Sequence, residues 1–82
     1  MTYWILFRSI THAQRAARLL ERGGITATAT RAPQGLSPKG CAYAVIFRIR
    51  LTEALRLLEV NRINHGQVWE RLESGEFREV QA

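Results

Sequence analysis

The stretch Ala42-Tyr43-Ala44-Val45-Ile46-Phe47-Arg48 decides the fold of this chain, together with Tyr3-Trp4-Ile5-Leu6-Phe7-Arg8 near its start. Both are dense in aromatic and branched residues, a composition suited to a pleated, packed strand. Side chains alternate across a strand, so Tyr43, Val45 and Phe47 oppose Ala42, Ala44 and Ile46, while Tyr3, Ile5 and Phe7 oppose Trp4 and Leu6. Both faces of both strands are apolar. Helices can cover one face only, so the other is expected to have a use of its own.

Between the two strands, Thr11 and Gln14 have the spacing of a capping box. Ala13, Ala16, Ala17 and Leu20 follow on one helical face, widened by Leu19, with Arg15, Arg18 and Arg22 largely opposite. Gly23 and Gly24 end this helix. Residues 25–31 alternate Thr26, Thr28 and Thr30 with Ala27 and Ala29 and read as a second strand. Residues 32–40 hold both prolines and two of the six glycines, the mark of a loop with tight turns. Beyond the third strand, Leu51, Ala54, Leu55 and Leu58 predict a second helix over 51–64, capped by Thr52 and ended at Gly66. Residues 67–72, a Ser74-Gly75 turn and residues 76–80 predict a last strand with a hairpin arm. The order is βαββαβ. It predicts an α+β ferredoxin-like sandwich, two helices on one face of an antiparallel sheet, formed as a single domain over 1–82 with 67–82 as terminal strand or hairpin.

Eighty-two residues bury only about 60–65% of the extended chain's surface, so the core must be well filled. Net charge is +5, carried by eleven arginines and Lys39 against seven glutamates, without aspartate. Residues 1–52 hold about +7 and residues 53–82 about −2, which favours an anionic partner for the first part. No run approaches the length of a spanning helix, and the apolar start is too short for a signal-peptide core. With one cysteine no internal disulfide is available; the cytoplasm is the expected compartment, with no membrane partner.

That cysteine, Cys41, is the one side chain able to act as a nucleophile by its own chemistry. A thiol reacts as thiolate, which cationic groups and converging amides favour, so Lys39 is the first choice for its electrostatic activation, helped by the turn at Gly40. The competing reading is a small hydrophobe buried against the third strand. His12, in the first turn of the first helix, is the candidate acid-base partner if its loop meets the one before Cys41; an ordinary first-turn histidine is the alternative. His65 reads as a cation at a helix end, and Glu70 and Glu73 as solvated. One cysteine and two distant histidines offer no metal site, and the glycines form no phosphate-cradling or dinucleotide pattern, so neither metal nor cofactor is expected. Ser9, Ser37 and Ser74 lack the setting of a hydrolytic nucleophile. The residues leave open whether the chain is an enzyme.

The run Tyr3-Trp4-Ile5-Leu6-Phe7-Arg8-Ser9-Ile10-Thr11-His12-Ala13, with Ala16/Ala17-Leu19-Leu20, Gly24-Ile25, Pro33 and Leu36-Ser37, resembles the selenium/sulfur carrier protein-like family. This small domain, formerly of unknown function, also occurs fused behind TusA-type sulfur-carrier domains. The likeness covers roughly residues 3–48. The family usually continues to a Cys-Gly pair before the third strand; here the order is Gly40-Cys41. Either Cys41 is the family thiol displaced by one residue, or Gly40 occupies its position. The resemblance implies a carrier that accepts sulfur or selenium on Cys41 as a persulfide or perselenide, supported by Lys39 and His12, with donor and acceptor proteins as partners. Two alternatives stand beside it. One is a non-catalytic interaction module, homodimeric through the exposed sheet face. The other is a single-stranded nucleic-acid binder using Tyr3, Phe7, Tyr43 and Phe47 as a stacking platform.

Overall fold

A computed structural model of the chain describes residues 1–36 and 41–80. It contains β1 (Thr2–Phe7), α1 (Ile10–Arg22), β2 (Ala27–Arg31), β3 (Tyr43–Phe47), α2 (Leu51–Val60), β4 (Val68–Arg71) and β5 (Phe77–Val80). The strands form one antiparallel sheet in the order β2-β3-β1-β4-β5. The first four strands and two helices are the ferredoxin-like arrangement, and β5 adds a strand beyond β4.

Register decides which face the helices cover. Tyr3 pairs with Phe47, Ile5 with Val45 and Phe7 with Tyr43, and this side meets the helices. Ile5, Phe7, Val45 and Phe47 are buried there with Ala13, Ala16 and Leu20 of α1 and Ala54 and Leu58 of α2. The aromatic platform expected to face solvent is therefore under the helices, with Phe7 1% and Phe47 2% exposed. The open face instead carries Trp4, Leu6, Ala44, Ile46, Trp69 and Phe77. Trp4 meets Phe77 edge-on with ring centroids 5.5 Å apart, and the Arg71 guanidinium lies 5.2 Å from the Phe77 centroid.

Local chemistry moves several helix ends from their expected places. Ser9, not Thr11, caps α1: its backbone is extended and its Oγ accepts from the His12 N–H at 3.1 Å. Ser9→Ala is expected to cost about 1 kcal/mol, read as a lower midpoint in thermal denaturation. α1 ends as expected at the glycine pair, where Gly24 takes φ +86° while Ile25 donates back to the Leu20 carbonyl and Gly24 to that of Glu21.

α2 begins after Arg50, not at a Thr52 cap. Arg50 sits at φ +61° and uses its side chain to donate to the Gly23 carbonyl at 2.7 Å and to pair with Glu53. α2 also stops at Val60, short of Asn64, and Gly66 is not its terminator. Arg62 takes the left-handed conformation at φ +57° and Ile63 donates to the Leu58 carbonyl, turning the Ile63 side chain back onto the core. Burial of Ile63 offsets the cost of a left-handed arginine.

Glu70, expected to be solvated, is buried on β4 opposite Arg78 of β5 and accepts from the Arg78 Nε at 2.7 Å. A carboxylate removed from water needs such a partner, and the pair ties β5 to β4.

Candidate functional site

β3 and β4 both run antiparallel to β1, so the end of β1, the start of β3 and the start of β4 meet at one end of the sheet. The sequence puts Arg8 and Ser9 at the first of these, Cys41 at the second, and Asn64, His65 and Gly66 at the third. A cleft of about 510 Å³ opens among them. His12, from the first turn of α1, completes its wall. Cys41 and His12 thus line one cleft, whereas Lys39 lies in residues 37–40, outside the described residues.

Cys41 is 7% exposed and packs with Leu6 and Ala44, bordered by Trp4, Ala32 and Trp69 on the open sheet face. It has both features that the sequence set against each other: burial beside the strand, and a place on the wall of a polar cleft.

Gly66 fixes the side from which the sulfur is closed off. The Gly66 N–H donates to the Leu6 carbonyl at 2.7 Å, and a Cβ at this position would stand 2.9 Å from the Cys41 Sγ and 3.4 Å from the Leu6 oxygen. Close approach of backbone to thiol is the reason for glycine here. Gly66→Ala is expected to cost about 1–3 kcal/mol by overpacking and to speed modification of Cys41 by a disulfide reagent, as the sulfur is pushed towards the cleft. Thermal denaturation and thiol-modification rates measure the two effects.

His65 belongs to the connection between α2 and β4 and not to a helix end. Its Nδ1 lies 2.7 Å from the Gly66 carbonyl oxygen, an acceptor, which assigns the proton to Nδ1 and leaves Nε2 as the basic nitrogen. The Phe7 ring packs edge-on against it, with centroids 6.5 Å apart. Sequence reading missed Arg8, Asn64, His65 and Gly66 as parts of the site. The signal was topological: any strand pairing antiparallel to β1 must bring the residues before it to the end where β1 runs into Ser9.

No carboxylate is among the described residues lining the cleft. The first turn of α1 holds no acidic residue, and a helix N-terminus carries partial positive charge. With Arg8 on the wall, the cleft suits an anion next to a thiol and two imidazoles, groups that can take up a thiol's proton. Among the described residues no set of three or more histidine, cysteine or acidic side chains is gathered as for a metal, and no helix is long and apolar enough to cross a membrane.

Comparison with curated proteins found no match, nor did comparison with solved structures. The model of the family described as "Putative Se/S carrier protein-like" matches residues 2–70, a span that takes in every residue lining the cleft and leaves β5 outside. With most of its 82 residues inside that match, the chain belongs to the Se/S carrier protein-like family.

Proposed function

We propose that the protein carries a sulfur or selenium atom on Cys41, as a persulfide or perselenide, between a donor and an acceptor protein. The observation that carries this reading is that the single cysteine of a Se/S carrier-like chain lines a cleft with His12, His65 and Arg8, with no carboxylate among the described residues of its wall.

In the loading step, the Cys41 thiolate bonds to the outer sulfur of a donor persulfide. The donor's S–S bond breaks, and its inner sulfur departs with the bonding pair as a thiolate. The proton of the Cys41 thiol passes to an imidazole or to water. Unloading repeats the exchange, with an acceptor thiolate attacking the outer sulfur. The added atom stands about 2.05 Å beyond Sγ; Gly66 closes one side, so the cleft is the direction in which there is room. Arg8 and the N-terminal end of α1 favour the terminal anion. Lys39 joins them in this reading as the activating cation supplied by the sequence. The test is incubation with a cysteine desulfurase and cysteine, followed by intact-mass measurement of the chain.

A second reading concerns assembly. Trp4, Ile46, Trp69 and Phe77 are only half buried on the sheet face away from the helices, which supports a homodimer formed by stacking two such faces.

A further inference from the structure

α1 turns a row of arginines away from the core. Arg15, Arg18 and Arg22 recur at helical spacing, so the row is about 10 Å long at 1.5 Å per residue. They line a groove of about 360 Å³ whose opposite side is formed by Asn61 and Ile63, after the end of α2. A smaller recess of about 110 Å³ continues it: Arg15 and Ile63 are common to both, and the recess adds Arg62, His12 and Asn64. His12 and Asn64 are in turn on the wall of the Cys41 cleft. The recess thus lies between the groove and the Cys41 cleft, sharing lining residues with each.

Its charges are uncommitted. Among the described residues the ion pairs are Arg50 with Glu53 and Glu70 with Arg78, and none involves Arg15, Arg18, Arg22 or Arg62. Glu21 and Glu59, the acids nearest in sequence, line neither the groove nor the recess. The lining is also amphipathic, for Leu19 and Ile63 are half buried among the arginines.

We propose that this groove is the docking surface for an acidic, amphipathic segment of a partner protein, with its apolar side chains on Leu19 and Ile63 and its carboxylates on the arginines. Nucleic acid fits less well: among the described residues no aromatic side chain lines the groove and His12 alone could stack a base at the recess, while a sugar-phosphate backbone has no apolar side chain to seat on Leu19 and Ile63. Arg62, in its left-handed turn, adds a further basic residue to the lining of the recess. That the docked partner presents its reacting sulfur to Cys41 rests on the carrier reading; the docking itself does not.

The test is an NMR titration of the isotope-labelled chain at low salt with a short synthetic peptide of glutamates carrying leucines at helical spacing. Shifts are expected at Arg15, Arg18, Arg22 and Arg62 and at neighbouring His12 and Asn64. Replacing Arg15, Arg18 and Arg22 together by glutamine should weaken the peptide roughly tenfold or more, about 1.4 kcal/mol. The same replacement at Arg31, Arg48 and Arg56 removes equal charge elsewhere and should change affinity little. Equal losses in the two variants, or shifts centred on the open sheet face, would overturn the proposal. Tighter binding of an oligodeoxythymidylate to the same arginines would overturn the partner class. Cys41→Ser should bind the peptide like the parent chain, and the groove variant should still take sulfur from a small-molecule persulfide, so failure of docking and failure of the carrier reading remain distinguishable.

Discussion

Cys41→Ser is expected to show no mass gain under conditions in which the parent chain gains one sulfur atom from a desulfurase and cysteine. The effect is all or none because the chain has no second thiol to take the load. A serine hydroxyl at the same place is not ionised at neutral pH and forms no stable persulfide analogue. The substitution has a structural side, since a hydroxyl would replace the sulfur in a cluster with Leu6 and Ala44. Cys41→Ala, which introduces no polar atom, separates folding from chemistry, and both variants should keep the parent's oligomeric state by sedimentation. Because Cys41 is buried, only 7% exposed as a residue, the native parent should react with a disulfide reagent far more slowly than the denatured chain. Sulfur retained by Cys41→Ser, or no gain by the parent when a known acceptor loads, would remove the carrier reading.

Phe7→Ala should lower stability by about 3–5 kcal/mol, the usual cost of emptying a fully buried phenylalanine site. Phe7 is 1% exposed at the last position of β1, set among the helix-facing core residues. A domain of this size loses roughly 4–8 °C of melting temperature per kcal/mol, so the midpoint by circular dichroism should fall by about 12 °C or more. The same ring packs against His65, so the variant should also load sulfur more slowly at temperatures where it remains folded. Phe7→Leu, which keeps most of the volume, should lose much less. A change of under about 1 kcal/mol in Phe7→Ala would mean that the core closes around the gap.

The sheet and both helices were legible because their signals agree along whole segments: dense aromatic and branched residues at 3–8 and 42–48, and the alanine and leucine stripes of α1 and α2. What was hidden depends on single contacts between distant parts of the chain. Ser9 and Thr11 are both good caps, and the choice between them follows from where β1 ends. The end of α2 is set by the pull of Ile63 towards the core, which forces Arg62 into a conformation that no local preference favours. Glu70 carries nothing in its neighbourhood to announce Arg78, its partner across the hairpin. At the site, Cys41 and His12 were readable from their chemistry, whereas Gly66 and His65 become meaningful only once β4 lies beside β1. The facing of the aromatics was half legible: alternation grouped Tyr3, Ile5 and Phe7 together, but with both faces apolar it could not say which group the helices would claim.

The bond from Gly66 to Leu6 spans most of the chain, and it has a meaning for the time course of folding. A hairpin such as β4-β5 can close early and locally, but the wall behind Cys41 exists only after residues from near both ends have met, and such distant pairings are slow. On a ribosome Cys41 would emerge well before Gly66. Until the later segment arrives the thiol has no backing, and a newly made chain passes through an interval in which oxidants and electrophiles meet a sulfur that the finished protein keeps close to its own backbone.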